Sequence, residues 1–199
     1  MTAFNLRKFS KLGISIFVTV LLLGSMQSCQ STYDQTVKSE MAQGTRFDTL
    51  KFDLKFNDTK KEFFAKCWEL NKKGLIKQGP KNQYVAYELK NDSTQNITHL
   101  FYGIFDDQQQ MVGLDMEFAY DGWSPWTPEL QSDKLLYVAM DTLQSWYPGN
   151  DFFKVTNEKL DKETFVKIDG NRQIVVQTSG DKDVKATLED LRYKFPNLN

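Results

Sequence analysis

The alternation of apolar and polar positions between residues 46 and 122 predicts one helix followed by strands. Thr59 and Glu62 have the three-residue spacing of a capping box, and apolar side chains then recur along one broad side as far as Leu70. Gly74 is typical of the residue that ends such a helix. Period-two runs follow and predict three strands, at 83–89, 98–105 and 111–120.

The second half of the chain, residues 123–199, repeats this order of elements. Thr127 and Pro128 are typical of a helix start, and Pro148-Gly149 marks the end of the amphipathic segment that follows. Asp169-Gly170-Asn171 has the composition of a hairpin turn. The apolar patterns around this turn predict three more strands, at 152–156, 164–168 and 173–178.

Two shorter patterns predict one element at each end of the folded region. Residues 50–56 alternate apolar and polar side chains, as a half-buried strand does. Asp183 is a favoured helix N-cap residue, and Val184, Leu188 and Leu191 have the spacing of the inner side of a helix. We therefore expect a strand before the first helix and a short helix near the end of the chain.

These elements together define the expected fold class. Strands that alternate this regularly favour an antiparallel sheet with one face on the core and the other face in water. We predict an α+β fold in which helices cover one face of an antiparallel sheet or sheets. The order of elements favours a tandem repeat of a helix plus three strands, with one half at 46–122 and the other at 123–199.

Residues 1–28 have the three-part layout of a secretory signal peptide. Three basic residues precede the apolar run 14–23, and a short polar stretch follows it. The run is shorter than the roughly 20 apolar residues that a comfortable spanning helix needs. We therefore expect the segment to be removed and the mature protein to lie in the cell envelope.

Cys29 directly follows a small residue, Ser28, just after the apolar run. This arrangement resembles the relaxed lipobox of lipoproteins from Bacteroides-like bacteria. The resemblance implies a diacylglycerol on the Cys29 sulfur, with the outer membrane as the expected location. Each buried CH₂ of such chains adds about 0.8 kcal/mol, so several chains hold a protein firmly. The alternatives are ordinary signal cleavage and a retained membrane anchor.

Residues 29–45 follow the lipidation site and are polar without clear periodicity. We interpret them as a lipidated flexible tether, which as a coil would span roughly 20–25 Å. Such a tether would lift the folded region clear of the lipid surface.

Charge and cysteine content narrow the function classes. Residues 29–199 carry 22 basic and 26 acidic side chains, a net charge of about −4, and no basic patch with interleaved aromatics. This balance excludes a nucleic-acid partner, and there is no polybasic stretch for anionic lipid. Only Cys67 remains beside Cys29, so the fold depends on a hydrophobic core. Of the 15 phenylalanines in the chain, 12 lie in residues 29–199 and supply large apolar area for this core.

The side chains that most often carry catalysis or hold metals are sparse. His99 is the only histidine and falls in a strand pattern, where we expect a surface or edge position, while a zinc site needs several ligands. Cys67 lies on the apolar side of the first helix, where a buried thiol behaves as a small hydrophobe. We predict no catalytic residue, no metal and no cofactor.

A loose acidic group and an aromatic loop are the remaining candidates. The acidic residues, which lack the spacing of a calcium loop, are Asp106, Asp107, Asp115, Glu117 and Asp121. We read them as a solvated strand face and turn, with a carboxylate pair for glycoside cleavage left open. Tyr120, Trp123 and Trp126 lie in or beside a proline-containing loop, and are either core side chains or a platform that binds protein or sugar.

The order of helices and strands resembles the small assembly lipoproteins of the outer membrane and the tandem fold of the beta-lactamase inhibitor protein. The residues that carry this resemblance are the segment 58–63, Asp-Thr-Lys-Lys-Glu-Phe, which opens the first helix, and Gly79-Pro80 after it. The resemblance implies a scaffold or a binder of proteins.

We therefore expect a membrane-anchored, non-catalytic envelope lipoprotein that binds or scaffolds another protein. Its partners would be the membrane, through the lipid anchor, and an envelope protein or glycan. Two other function classes stay open. One is a carbohydrate-binding module that uses the loop of Trp123 and Trp126, and the other is a small carboxylate-dependent envelope hydrolase. An enzyme would need two facing carboxylates in a pocket, a sugar binder a flat exposed indole, and a scaffold an apolar patch.

Overall fold

After a first helix, the described part of the chain contains two successive halves, each with one long helix and four strands. A computed structural model describes residues 32–80, 83–90, 95–156 and 163–198. The helices of these residues are α1 Thr32–Ala42, α2 Lys60–Lys72, α3 Ser132–Trp146 and α4 Leu191–Lys194. The strands are β1 Lys77–Gln78, β2 Val85–Leu89, β3 Ile97–Phe105, β4 Met111–Tyr120, β5 Phe153–Thr156, β6 Glu163–Asp169, β7 Arg172–Ser179 and β8 Asp183–Asp190.

All eight strands belong to one antiparallel sheet, with the order β1-β2-β3-β4-β8-β7-β6-β5. The last strand of each unit therefore pairs with the last strand of the other, from Gly113 opposite Glu189 to Ala119 opposite Asp183. Gly113 is required here, because a Cβ atom at this position would lie 2.4 Å from the backbone oxygen of Leu188. The two halves thus share one continuous sheet.

The two long helices cover the same face of the sheet. Phe63 and Cys67 of α2 and Leu143 of α3 belong to a single buried core with inward-facing side chains such as Met116 and Val184. An α+β fold with helices on one face of an antiparallel sheet is thus confirmed. The repeat contains a helix and four strands, not three, because the two-residue strand β1 and the strand β8 add one to each half.

The predicted start of α2 is correct in atomic detail. The Glu62 backbone N–H donates to Thr59 Oγ1 at 3.2 Å, and the Thr59 N–H donates to Glu62 Oε2 at 2.7 Å. Helix α3, by contrast, begins at Ser132 and not at Thr127, since Pro128–Leu130 form a separate 3-10 turn. The Ser132 N–H and hydroxyl donate to the carbonyls of Asp181 and Gly180, so the turn between β7 and β8 fixes the helix start.

The predicted final helix from Asp183 is wrong, since these residues form β8. Val184, Ala186 and Leu188 are all buried and alternate with side chains on the other face. Burial of Ala186 shows the two-residue period of a strand, because the buried side of a helix would not include the second residue after Val184. Pairing with both β4 and β7 satisfies the backbone of this strand.

The predicted strand at 50–56 is also wrong. Leu50, Leu54 and Phe56 are buried as their alternation suggested, but Lys51–Asp53 form a 3-10 turn between them. Phe52 and Asp53 have φ values of 63° and 60°, and the Leu50 N–H donates to the Leu54 carbonyl at 2.7 Å. A tight loop therefore places the same apolar side chains in the core.

The predicted flexible tether is helical where the structure describes it, because Thr32–Ala42 form α1. Val37 of this helix is buried, and Glu40 Oε2 accepts a hydrogen bond of 2.9 Å from the Gly170 N–H. Side-chain contacts with the β6–β7 turn thus stabilise a segment that has little apolar periodicity of its own. The predicted signal segment 1–28 and Cys29 lie outside the described residues.

A buried ionic cluster closes the inner face of the sheet at the β6–β7 hairpin. Asp169 Oδ2 lies 3.1 Å from Lys167 Nζ and 3.0 Å from Arg172 Nη2, and all three side chains are almost fully buried. The Arg172 guanidinium lies 4.9 Å from the ring centroids of both Phe47 and Tyr147. Burial lowers the pKa of Lys167, while the attraction of Asp169 opposes this shift.

Replacing the shared carboxylate should destabilise the fold strongly, because two buried cations would lose their counter-ion. We expect Asp169→Ala to lower the free energy of unfolding by about 3–5 kcal/mol in urea titrations. Asp107→Ala, in the exposed turn between β3 and β4, is the matched control and should change it by less than about 0.5 kcal/mol. Equal effects of the two substitutions would contradict a structural role for the cluster.

Candidate functional site

The sheet face opposite α2 and α3 presents a broad mixed surface. We call it the open face and define it by side chains of one register in the middle of four neighbouring strands: Leu100, Ile104, Asp115, Glu117, Val175, Lys185 and Thr187. The strand register places these side chains in rows across the sheet. The first row contains Leu100, Glu117 and Lys185.

The open face combines apolar side chains with fixed polar groups. Glu117 lies directly opposite Lys185 of the next strand, so their charges are complementary. The Tyr84 hydroxyl donates to Asp115 Oδ2 at 3.0 Å, and this hydrogen bond raises the tyrosine pKa. The apolar side chains Leu100 and Val175 are half-buried by their neighbours. Such a mixture of apolar and paired polar side chains is typical of protein–protein interfaces.

Two shallow depressions mark the ends of this surface. One has a volume of about 290 Å³ and is lined in part by Leu100, Glu117 and Lys182. The other, of about 180 Å³, is lined in part by Ile104 and Tyr193. Both are smaller than most small-molecule sites. The open face is therefore better suited to a flat macromolecular surface than to a small substrate.

The β6 end of the same sheet face differs, because its apolar side chains are already covered. Val166 and Ile168 follow the register of the open face, yet both are buried and lie outside the main core. Val37 of α1 is buried in the same way. The hydrogen bond from Gly170 to Glu40 places α1 at this corner. The accessible part of the open face therefore does not extend to the middle of β6.

A second surface lies on the outward side of α2. Phe64 and Trp68 are 44% and 61% exposed, although both are large apolar side chains. Beside them a groove of about 440 Å³ runs between α2 and the β1–β2 hairpin, with Cys67, Ile76 and Val85 among its lining residues. Exposed aromatic side chains next to an apolar groove indicate a contact surface.

The aromatic loop does not unite its three predicted binding residues. Tyr120 is buried in the core, which agrees with the alternative that it is a core side chain. The Trp123 indole N–H donates to the Asp181 carbonyl at 3.3 Å, which ties this side chain to the β7–β8 turn. Trp126 is 88% exposed. One exposed indole therefore remains from the predicted platform.

His99 is buried in the sheet, and the predicted surface or edge position is wrong. Its ring lies 4.4 Å from that of Phe118 and 5.3 Å from that of Trp146, measured between centroids. Burial lowers the His99 pKa to about 3, and a smaller opposing effect comes from a hydrogen bond with the Glu117 backbone. The pairing of β3 with β4 and β2 determined this position, and the local sequence does not show it.

The remaining candidates carry little chemistry in this arrangement. Burial raises the pKa of the Cys67 thiol to about 12, as expected for the predicted hydrophobic role and unlike a nucleophile. Asp106 accepts hydrogen bonds from the backbone of its own turn, and Asp121 accepts one from Thr98. Within the described ranges, no three His, Cys, Asp or Glu side chains are grouped to hold a metal ion.

Comparisons with known proteins add no assignment to this geometry. No protein-family model matches the chain, and no curated protein or solved structure is significantly similar to it. Among the described residues, no helix is long and apolar enough to cross a membrane.

His99 should make the fold sensitive to acid. Because its pKa is about 3 in the folded chain and about 6.5 when unfolded, the unfolded chain binds more protons between these values. Stability should therefore fall as the pH drops below 6.5, by at most about 1.4 kcal/mol per pH unit from this residue. His99→Phe should reduce the slope of unfolding free energy against pH between 7.5 and 4.5. An unchanged slope in the variant would refute this origin.

Proposed function

We propose that this protein is a lipid-anchored, non-catalytic component of the cell envelope that binds a protein partner on its open face. The observation that carries the proposal is the asymmetry of the sheet. One face packs against α2 and α3, whereas Leu100, Ile104 and Val175 on the other face remain partly accessible in the described structure. A sheet face of this kind is a stable platform for a second protein surface.

The composition of the open face favours a protein over a small ligand. Aliphatic side chains provide contact area, the Tyr84–Asp115 hydrogen bond fixes one polar pair, and Glu117 lies opposite Lys185 in the strand register. Because Asp115 already accepts a hydrogen bond, a protein that covers it meets a lower desolvation cost than it would over an unpaired carboxylate. Strand pairing holds the whole face rigid, which also reduces the ordering cost of binding.

The anchoring part of the proposal depends on Cys29 and the segment before it. Three basic residues, a short apolar run and a cysteine after a small residue support lipidation at this position. The location that this implies is the envelope, at the outer membrane. Anchored partners meet at higher effective concentration than free ones, so a moderate affinity at the open face would be sufficient.

The carbohydrate-binding alternative is supported by one observation, the high exposure of Trp126 between Pro125 and Pro128. A flat, rigidly presented indole is a suitable stacking surface for a sugar ring. Trp123 does not add a second free indole, since its N–H is bonded to the Asp181 carbonyl. We therefore rank protein binding first. The hydrolase alternative has less support, because Asp115 and Glu117 lie two residues apart on one strand, and Asp115 already accepts a hydrogen bond from Tyr84.

Site-specific photo-crosslinking tests this function directly. A photoreactive phenylalanine analogue at Leu100 or Val175, introduced in the native cell, should give one defined crosslinked protein. The same analogue at Tyr137, which is exposed on α3, is the matched control and should not give it. Thr187→Arg, which places a new charge between these positions, should abolish the product by leaving a charge desolvated and unpaired.

Two results would contradict the proposal. Equal crosslinking from Tyr137 and from the open face would refute a specific surface, and no product from Leu100 or Val175 would refute protein binding there. Cys29→Ser tests the anchor separately. We expect this variant to be lost from the membrane fraction while its fold is unchanged. Unaltered processing and membrane partitioning of the variant would refute lipidation.

A further inference from the structure

Helix α2 presents an ordered row of side chains that the open face does not use. Lys60, Phe64, Trp68 and Lys72 are each four residues apart, so they lie along one ridge of the helix. The two aromatic side chains in the middle are 44% and 61% exposed. Lysines occupy both ends of the row, and the Lys72 Nζ lies 5.6 Å from the Trp68 ring centroid.

Charge around this row is opposite in sign to that of the whole chain. Residues 59–77 contain six lysines and two glutamates, a net charge of +4, although residues 29–199 together carry about −4. Both glutamates have partners, since Glu62 belongs to the capping box and Glu69 lies 2.9 Å from Lys72 Nζ. Lys61 is exposed next to the row. Lys66 and Lys77 pair with Asp58 and Glu88 outside this range, so the excess positive charge comes mainly from Lys60, Lys61 and Lys73.

Further apolar surface lies just beyond the C-terminal end of α2 and in the groove beside this helix. Leu75, just after the end of α2, is 52% exposed. Phe64 and Trp68 also form one wall of the groove of about 440 Å³, whose other lining residues include Ile76 and Tyr84. A surface in contact with α2 would thus meet exposed Phe, Trp and Leu side chains together with an apolar recess.

We propose that the outward side of α2 rests on an anionic phospholipid surface. Phe64, Trp68 and Leu75 would enter the boundary between headgroups and acyl chains, and the lysines at both ends of the row would reach the phosphates. Trp is the side chain most typical of this boundary, and each nearby lysine strengthens binding about fivefold. This contact goes beyond the proposed protein binding and does not depend on it.

The charge pattern favours lipid over a protein as the occupant. Lysine is depleted at the centres of protein interfaces, whereas an aromatic row flanked by lysines is typical of helices that lie flat on membranes. The geometry also agrees, because α2 lies on the helical side of the sheet and the open face on the other. The α2 surface reaches the edge of the sheet, where the Phe64 and Tyr102 ring centroids lie 6.3 Å apart, so contact through α2 would leave Val175 and Lys185 on the more distant strands uncovered.

Tryptophan quenching by brominated phosphatidylcholine in vesicles tests this contact on the full chain. Residues 1–31 contain no tryptophan, so a leader or anchor in the bilayer gives no signal. Vesicles containing about 30% phosphatidylserine should quench the wild-type chain. Trp68→Phe should remove more than half of the quenching, and the matched control Trp126→Phe should keep it. Circular dichroism checks that each variant is folded.

The lysines are tested in the same assay. Lys60→Glu combined with Lys61→Glu should reduce the vesicle-dependent quenching at least tenfold in apparent affinity, towards the level with neutral vesicles. Quenching that survives Trp68→Phe, or that is lost with Trp126→Phe, would overturn the assignment to α2. Equal quenching in neutral and anionic vesicles would overturn the electrostatic part. An unquenched Trp68 that crosslinks to a protein would make the row a protein surface and refute the proposal.

Discussion

The pairing of β4 with β8 is the constraint on which the rest of the structure depends. Each half of one helix and four strands has an apolar sheet face, and this pairing joins the two faces into one. A single core then extends under both α2 and α3. The backbones of β4 and β8 approach closely, since only glycine at position 113 leaves room for the Leu188 carbonyl. One sheet with one covered face is the result.

This arrangement separates two kinds of surface. The helical side presents α2 with its lysine and aromatic row, and the other side presents the open face with its paired polar groups. The ionic cluster around Asp169 secures the far end of the sheet, where the N-terminal segment also attaches through Phe47 and Glu40. The proposed lipid contact and the proposed protein partner would then use different surfaces of the folded region.

Local signals predicted much of the fold. The capping box of Thr59 and Glu62 fixed the start of α2, and the alternation from Met111 to Tyr120 gave β4 with its correct bounds. The prediction failed where the spacing of apolar residues suits both a helix and a strand, as it does for Val184 and Leu188. The sequence pattern also did not predict which strands pair. The burial of His99 was therefore missed, because it depends on strands β2 and β4 on either side of it.

The candidate surfaces were predicted less well than the fold. The four-residue spacing from Lys60 to Lys72 was readable in the sequence, but the exposure of Phe64 and Trp68 became visible only in the packed structure. A side chain on an apolar helix face is buried or exposed according to what packs against it. Tyr120 and Trp126 show the same effect, since they lie six residues apart in one distinctive segment, with one buried and the other exposed.

Labelling of single introduced cysteines on the membrane-anchored chain tests most directly whether the sheet separates a lipid side from a partner side. Lys185→Cys lies on the open face and Lys61→Cys beside the aromatic row, while the buried Cys67 thiol, with a pKa of about 12, should react slowly. In anionic vesicles, a water-soluble maleimide should label Lys185→Cys rapidly and Lys61→Cys at least several-fold more slowly. Equal rates, or protection of Lys185→Cys alone, would contradict the account.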